Sequence, residues 1–260
     1  MTDPALSLLL DQGRDGLWAA VLVFLRVGTL ATLLPVFGEQ LVPVRVRLAA
    51  ALGFAAVLLP MLAPLMATLP GGAGARLAQG GAEIVAGLAL GLMLRLFVVA
   101  LQVAGTMAAQ STSLAQLTGG TATDPAPAIG QVLILGGLAL AALSGLHLRA
   151  AEYMLLSYEI LPPGQFPDPA ALAEAGLAQV ARIFGLGFVL AAPFLIAALV
   201  YNLTLGVINR AMPQLMVAFI GAPAITGGAL LLLWLSAPLL LPIWRAALWG
   251  FMGVPFGAGP

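Results

Sequence analysis

The sequence predicts an all-α protein built for a membrane, with about six broken, proline-rich apolar helices arranged as hairpins. Three observations carry that expectation. Hydrophobic residues make up 62% of the chain and charged residues only 8%, with a mean hydropathy of +1.08. A soluble domain is nearer a quarter charged and half apolar. Second, about six runs reach the roughly 20 apolar residues that a bilayer crossing requires. Third, Pro35, Pro60, Pro64, Pro193, Pro223, Pro238 and Pro242 all fall within those runs. A backbone carbonyl freed by proline at membrane depth needs protein or a water-filled cavity around it. These helices are therefore expected to pack against other protein more than against lipid.

The first run is Leu17–Phe37, interrupted by Arg26 and closing at Pro35. Before it, the acidic start MTDPALSLLLDQGRDG lacks the basic region of a cleaved signal peptide and reads as mature sequence, with Leu6–Leu10 a short amphipathic lead-in. The loop Gly38–Arg47 leads to the second run, Leu48–Leu69, and Pro70–Gly81 reads as a Gly-rich turn. The third run, Glu83–Ala109, carries Arg95. A polar segment of small residues, Gln110–Pro127, separates it from the fourth, Ala128–Leu148. Arg149–Leu161 reads as an amphipathic helix stopped by a Leu-Pro-Pro-Gly turn. Asp168 before Pro169 makes an N-cap and first-turn pair for a helix that should run through Arg182 into the fifth run, Ile183–Tyr201. The sixth run is Leu215–Trp244, and the tail Arg245–Pro260 is rich in turn residues. No repeat and no linker divides the chain, so residues 1–260 are expected to form a single domain.

Charge and residue type exclude several chemistries. Ten arginines balance ten acids, and the chain has no lysine and no cysteine. Such a neutral chain carries no electrostatic footprint for nucleic acid. Without lysine there is no phosphate-loop lysine or Schiff base, and without cysteine no disulfide or thiolate metal site. His147 is the one histidine, so one chain cannot assemble a multi-histidine metal centre. Ser144 lies only three residues from it with no third group to orient a base, which argues against a hydrolase. No catalytic residue, cofactor or metal is expected. The arginines of alternate loops divide five to three, too evenly for the positive-inside rule to orient the chain.

Five features could carry function. Between the fifth and sixth runs, Asn202, Asn209, Arg210, Pro213 and Gln214 make a polar hinge. Pro213 lacks a helical N–H, so one helix should end before it and another start from it, placing Arg210 near the tip of a hairpin. On the third run, Arg95, Gln102, Thr106 and Gln110 fall within an arc of about 80° at 100° per residue. Such a polar stripe should face a partner helix or a water-filled path. The loop beyond it has Leu114 and Leu117 as its large apolar side chains. They could seal a conduit or pack locally in an ordinary surface loop, and the residues alone favour the latter. Arg26 and Arg95 each need a carboxylate or carbonyl partner inside an apolar run, with Glu39 and Glu83 the candidates. Gly87 and Gly91 form a GxxxG pair that either permits close helix approach or arises by chance in a Gly-rich helix.

These residues also carry a family resemblance. Asn202, Leu205, Gly206, Arg210, Pro213, Gln214, Leu215, Phe219, Gly221 and Pro223 resemble the signature of the FliR family, flagellar type III export-gate subunits. Near the start, Pro35, Phe37, Gly38, Pro43, Arg45 and Arg47 are similar to that family's PxFGxxxxPxRxR segment. Gln102, Ala104, Gly105 and Gln110, followed by Asp124–Pro125, resemble its central stretch. His147, Ser157, Tyr158, Leu161, Pro162 and Gly164 resemble the next block. The sequence departs from the pattern at Leu146, where the family usually has Gly, and at Met216–Val217. Leu114 and Leu117 stand in for the phenylalanines common in the family's plug.

The resemblance implies a non-enzymatic subunit of the gate through which unfolded flagellar proteins leave the cytoplasm, in the inner membrane at the flagellar basal body. It implies FliP and FliQ as fellow subunits, the export-switch protein FlhB around them, and helical hairpins packed into a stack. It also turns the third-run loop into a pore plug, with Leu114, Leu117 and Gln110 as gating candidates and Arg95, Gln102 and Thr106 as a lining stripe. The hairpin with Asn202, Arg210, Pro213 and Gln214 becomes a subunit interface. The competing reading is a small-molecule secondary transporter, with Arg26, Arg95 and broken helices at a midplane site. The absence of an inverted repeat weighs against it.

Overall fold

A computed structural model describes residues 4–113, 128–211 and 217–255, and every regular element among them is an α-helix. In order these are α1 (Pro4–Leu33), α2 (Val44–Met66), α3 (Ala73–Ser113), α4 (Ala128–Leu143), α5 (Leu146–Ile160), α6 (Pro169–Ala211) and α7 (Val217–Gly253). Five of them are long and apolar enough to cross a membrane, or six spans if the broken pair α4–α5 counts as one.

Local chemistry sets the helix ends. The Asp168 carboxylate accepts from the N–H of Ala170 at 3.1 Å, the N-cap bond expected with Pro169 in the first helical position. From there α6 runs unbroken through Arg182 and Pro193 to Ala211. Helix α1 stops at Leu33, ahead of Pro35, and the N–H of Gly38 closes the turn on the carbonyl of Leu34 at 2.7 Å. Pro60 and Pro64 lie inside α2, and Pro223, Pro238 and Pro242 inside α7, without ending either helix. Each proline removes one N–H from the ladder.

Five sequence boundaries move. The loop expected over Gly38–Arg47 ends at Pro43, because α2 begins at Val44 and takes in Arg45 and Arg47. The run Ala128–Leu148 is not one helix, because Gly145 adopts φ 84° and splits it into α4 and α5. At 16 and 15 residues neither piece reaches the roughly 20 needed alone. The turn expected over Pro70–Gly81 shrinks, because α3 begins at Ala73 and takes in Gly80 and Gly81. The polar segment expected from Gln110 is still helical as far as Ser113. The tail is helical through Gly253, since Trp244, Leu248, Phe251 and Met252 are all buried and hold the last turns down.

By packing, the chain sorts into two compact units, Met1–Arg95 with Gly145–Ala178 and Phe251–Pro260, and Leu96–Ser144 with Gln179–Gly250. In the first, Leu22 and Leu30 of α1, Leu58 of α2, Leu90 and Leu94 of α3 and Tyr153 of α5 are fully buried. A side chain at Gly87 would strike the Arg26 carbonyl and the Thr29 hydroxyl, and one at Gly91 would meet Leu30 and Leu33. The GxxxG pair thus marks a real close approach of α3 to α1. In the second unit, Phe97 and Leu101 of α3, Phe194 of α6 and Trp244 of α7 form the core. There the Trp244 indole N–H donates to the Phe97 carbonyl at 2.7 Å, and Gly105 of α3 packs directly on Gly130 of α4.

Candidate functional site

Arg26 and Glu83 form the electrostatic centre of the first unit. Both side chains are at most 1% exposed. The Arg26 guanidinium donates to Glu83 twice, Nε at 2.7 Å and Nη2 at 3.0 Å, the fork-to-carboxylate geometry that makes an ion pair directional. Its Nη1 donates to the carbonyls of Ser157 at 3.0 Å and Leu161 at 2.7 Å, and the group lies 4.0 Å over the Tyr158 ring. Glu83 also accepts from the N–H of Gly164 at 2.8 Å. An unpaired buried charge would be prohibitive, but here both members have partners on several sides. The result ties α1, α3 and the turn after α5 together.

That network explains the Leu-Pro-Pro-Gly turn. Its Leu161 carbonyl faces the cation, and its Gly164 N–H faces the anion. Gly164 has φ 71°, a conformation that disfavours any residue with a Cβ. Nearby, Gln79 is buried and accepts from the Trp18 indole at 3.1 Å while donating to the Pro70 carbonyl at 2.9 Å. The functional reading of the sequence did not single out Gln79 or Trp244. A lone amide just before an apolar run, or a lone indole within one, is the signal that each has a defined partner.

The loop from Leu34 to Pro43 carries Gly38, Pro43, Arg45 and Arg47 into place. A Cβ at Gly38 would collide with the carbonyls of Thr32 and Leu34, which is why glycine fits there. Pro43 sits at the N-cap of α2 with φ −56° and ψ 142°, and Arg47 Nε donates back to the Val42 carbonyl at 3.0 Å. Phe37 packs edge-on against Phe54 of α2, with ring centroids 5.7 Å apart. From the same loop, Glu39 pairs with Arg95 of α3. Arg26 and Arg95 therefore each have a carboxylate, the two that the sequence offered as candidates.

On α3 the remaining polar side chains of the stripe, Gln102, Thr106 and Gln110, are all exposed. The Thr106 hydroxyl donates to the Val103 carbonyl of its own helix at 2.9 Å. These three side chains stand out because α3 is the most covered of the long apolar helices, with 56% of an apolar 18-residue stretch buried. Leu114 and Leu117 lie outside the described residues. In the hairpin region, Asn202 and Arg210 are exposed on α6. Asn202 donates to the Ala198 carbonyl at 2.8 Å, and Arg210 occupies the last turn, where a cation suits the helix dipole. Pro213 and Gln214 lie outside the described residues, between the end of α6 at Ala211 and the start of α7 at Val217. Among the described residues no group of three or more His, Asp or Glu side chains could hold a metal ion.

Comparison with known proteins places this architecture. Residues 17–250 match the sequence pattern of the bacterial export proteins, family 1. The chain is 35% identical over 226 residues to the flagellar biosynthetic protein FliR of Caulobacter vibrioides, covering 84% of this chain and 89% of that protein. It is 30% identical over 228 residues to FliR of Aquifex aeolicus, covering 85% of each chain. Against FliR of Escherichia coli it is 29% identical over 229 residues, 84% of each. With its helical span matched almost from end to end, the chain belongs to the bacterial export proteins of family 1.

Proposed function

We propose that the chain is a subunit of the flagellar type III protein-export gate in the bacterial inner membrane, where it helps form and plug the pore for unfolded flagellar proteins. It acts as one functional domain and by steric and hydrophobic means, with no enzymatic chemistry of its own. FliP and FliQ are its fellow subunits, and the switch protein FlhB surrounds them. The stripe Arg95, Gln102, Thr106 and Gln110 lines the passage, Leu114 and Leu117 occlude it, and the hairpin with Asn202, Arg210, Pro213 and Gln214 locks the subunit to its neighbours.

Beyond the family match, one observation carries this reading. Within an apolar stretch of 18 residues in each helix, only 33% of α6 and 28% of α7 is buried, against 56% of α3. Residues such as Phe184, Phe188, Ile196, Leu199 and Leu203 of α6 are exposed. Helices this apolar, bent at prolines and bearing Asn202 and Arg210, suit a surface finished by sibling subunits. A solute transporter would need polar groups gathered at a midplane site. Here Arg26 and Arg95 are each committed to a carboxylate, which removes the residues that reading relied on.

The test is a pull-down of the tagged chain from detergent-solubilised flagellated cells. FliP and FliQ should travel with it in fixed proportion. Recovery as a lone chain that moves a small solute after reconstitution would reject the gate.

A further inference from the structure

Gly105 of α3 and Gly130 of α4 touch backbone to backbone, so that a Cβ on Gly105 would lie 2.2 Å from the Gly130 Cα. Further along α4, a Cβ on Gly137 would meet the Leu101 side chain of α3 at 2.6 Å. Contacts that advance along α4 retreat along α3, so the two helices run antiparallel.

Helix α4 carries a single polar side chain, Gln131, and it is exposed. Its direction follows from helix geometry. Gln131 comes one residue after Gly130, as Thr106 comes one residue after Gly105, and each step turns about 100° around its own axis. In two antiparallel right-handed helices, equal turns away from a shared contact lead to the same side of the pair. Gln102 and Gln110 stand at about 60° and 140° from Gly105 in that same sense. With a rise of about 1.5 Å per residue, Gln131 falls level with the space between Gln102 and Thr106. The four side chains are all exposed and all uncharged.

We propose that Gln131 is a further lining residue of the passage, bonding the backbone of the polypeptide in transit, a role that rests on the α3 stripe lining that passage. It carries the polar wall from α3 onto α4. The chemistry of this face favours an extended chain over a packed helix. A helix satisfies its backbone N–H and C=O groups internally, whereas an unfolded chain presents them unpaired. A glutamine amide has both donors and an acceptor, so it serves either group whatever side chains pass. A lipid tail offers such an amide nothing.

The probe is the photo-crosslinker benzoylphenylalanine, placed singly at Gln131, Gln102 or Val132 in the full-length chain of the assembled gate. Export is arrested with a flagellar substrate fused to a stably folded domain. Val132 is the control, since it is 52% exposed yet points away from α3, about 200° round from Gly130. Gln131 and Gln102 should capture the arrested chain, and Val132 should not. Capture at Gln102 but not at Gln131, equal capture at Val132, or crosslinks from Gln131 to a neighbouring subunit or lipid in place of substrate would overturn the role of Gln131 and leave the stripe standing. Failure at Gln102 as well would bring down the passage reading, and this proposal with it. Gln131→Leu should lower secretion about two- to tenfold, the worth of one net hydrogen bond, with assembly unchanged, and Gln131→Asn should restore most of it. Secretion at the parent level from Gln131→Leu would also overturn the proposal.

Discussion

Glu83 receives the guanidinium of Arg26 on both oxygens, at 2.7 and 3.0 Å, and still accepts the backbone N–H of Gly164 at 2.8 Å. One carboxylate thus fixes a membrane helix, its neighbour and a turn 81 residues further along the chain. The energetics of such a cluster are asymmetric. Its net worth over an apolar replacement is small, whereas removing one member strands the other in a site without water.

Glu83→Ala should therefore be severe, lowering stability by about 3–5 kcal/mol through the stranded arginine. The double variant Arg26→Met, Glu83→Leu removes both charges and should recover much of that loss. Recovery stays incomplete because Gly164 loses its acceptor, at about 1–3 kcal/mol for an unsatisfied buried group. Thermal midpoints in detergent give the comparison, and a double variant no better than Glu83→Ala would argue against the pairing.

Gly87 offers a steric test in the same unit. Any Cβ there must overlap the Thr29 hydroxyl and the Arg26 carbonyl, and the carbonyl cannot move without shifting α1. Gly87→Leu should push α1 and α3 apart and prevent accumulation of folded protein. Gly53 of α2, which has nothing within 4 Å of its missing side chain, should accept Ala with no loss. Protease resistance in membranes separates the two, and tolerance of leucine at Gly87 would count against the close crossing.

Much of this was legible in the residues because local chemistry determined it. Asp168–Pro169 announces a helix start whatever packs around it, and an arginine in an apolar run requires a carboxylate or carbonyl partner, for which Glu39 and Glu83 were the candidates. The split at Gly145 was not legible, because nothing around it forbids a Cβ and only its φ of 84° reveals the break. The tail misled for the opposite reason. Gly250 and Gly253 suggest turns, but burial of Trp244, Leu248 and Phe251 carries the helix past the first of them. Tertiary contacts outweigh a single glycine, which costs a helix only about 1 kcal/mol.

Arg210 is exposed in the last turn of α6 and forms no ion pair among the described residues. If it docks a sibling subunit, Arg210→Ala should leave the isolated chain's stability within about 0.5 kcal/mol yet sharply reduce recovery of FliP and FliQ in the pull-down. Recovery at the wild-type level would remove it from the interface.

Leu114 and Leu117 carry the sealing half of the proposed gate. Glycine at both positions removes the apolar bulk without introducing charge. The assembled complex in planar bilayers should then pass ions at rest where the parent complex does not. Unchanged conductance would take both leucines out of the seal.

The stripe on α3 should separate folding from transport. Gln102, Thr106 and Gln110 are exposed, and the Thr106 hydroxyl bonds only to its own helix, so little of the fold depends on them. Gln102→Leu, Thr106→Val and Gln110→Leu together should shift the stability of the isolated chain by no more than about 0.5 kcal/mol per site. If the stripe lines the passage, the same changes turn a wettable wall into an apolar one, against which an unfolded polar chain loses hydrogen-bonding partners. Secretion of flagellar subunits into the medium should fall while complex assembly stays intact. Normal secretion with three apolar replacements would mean that this face is turned away from the passage.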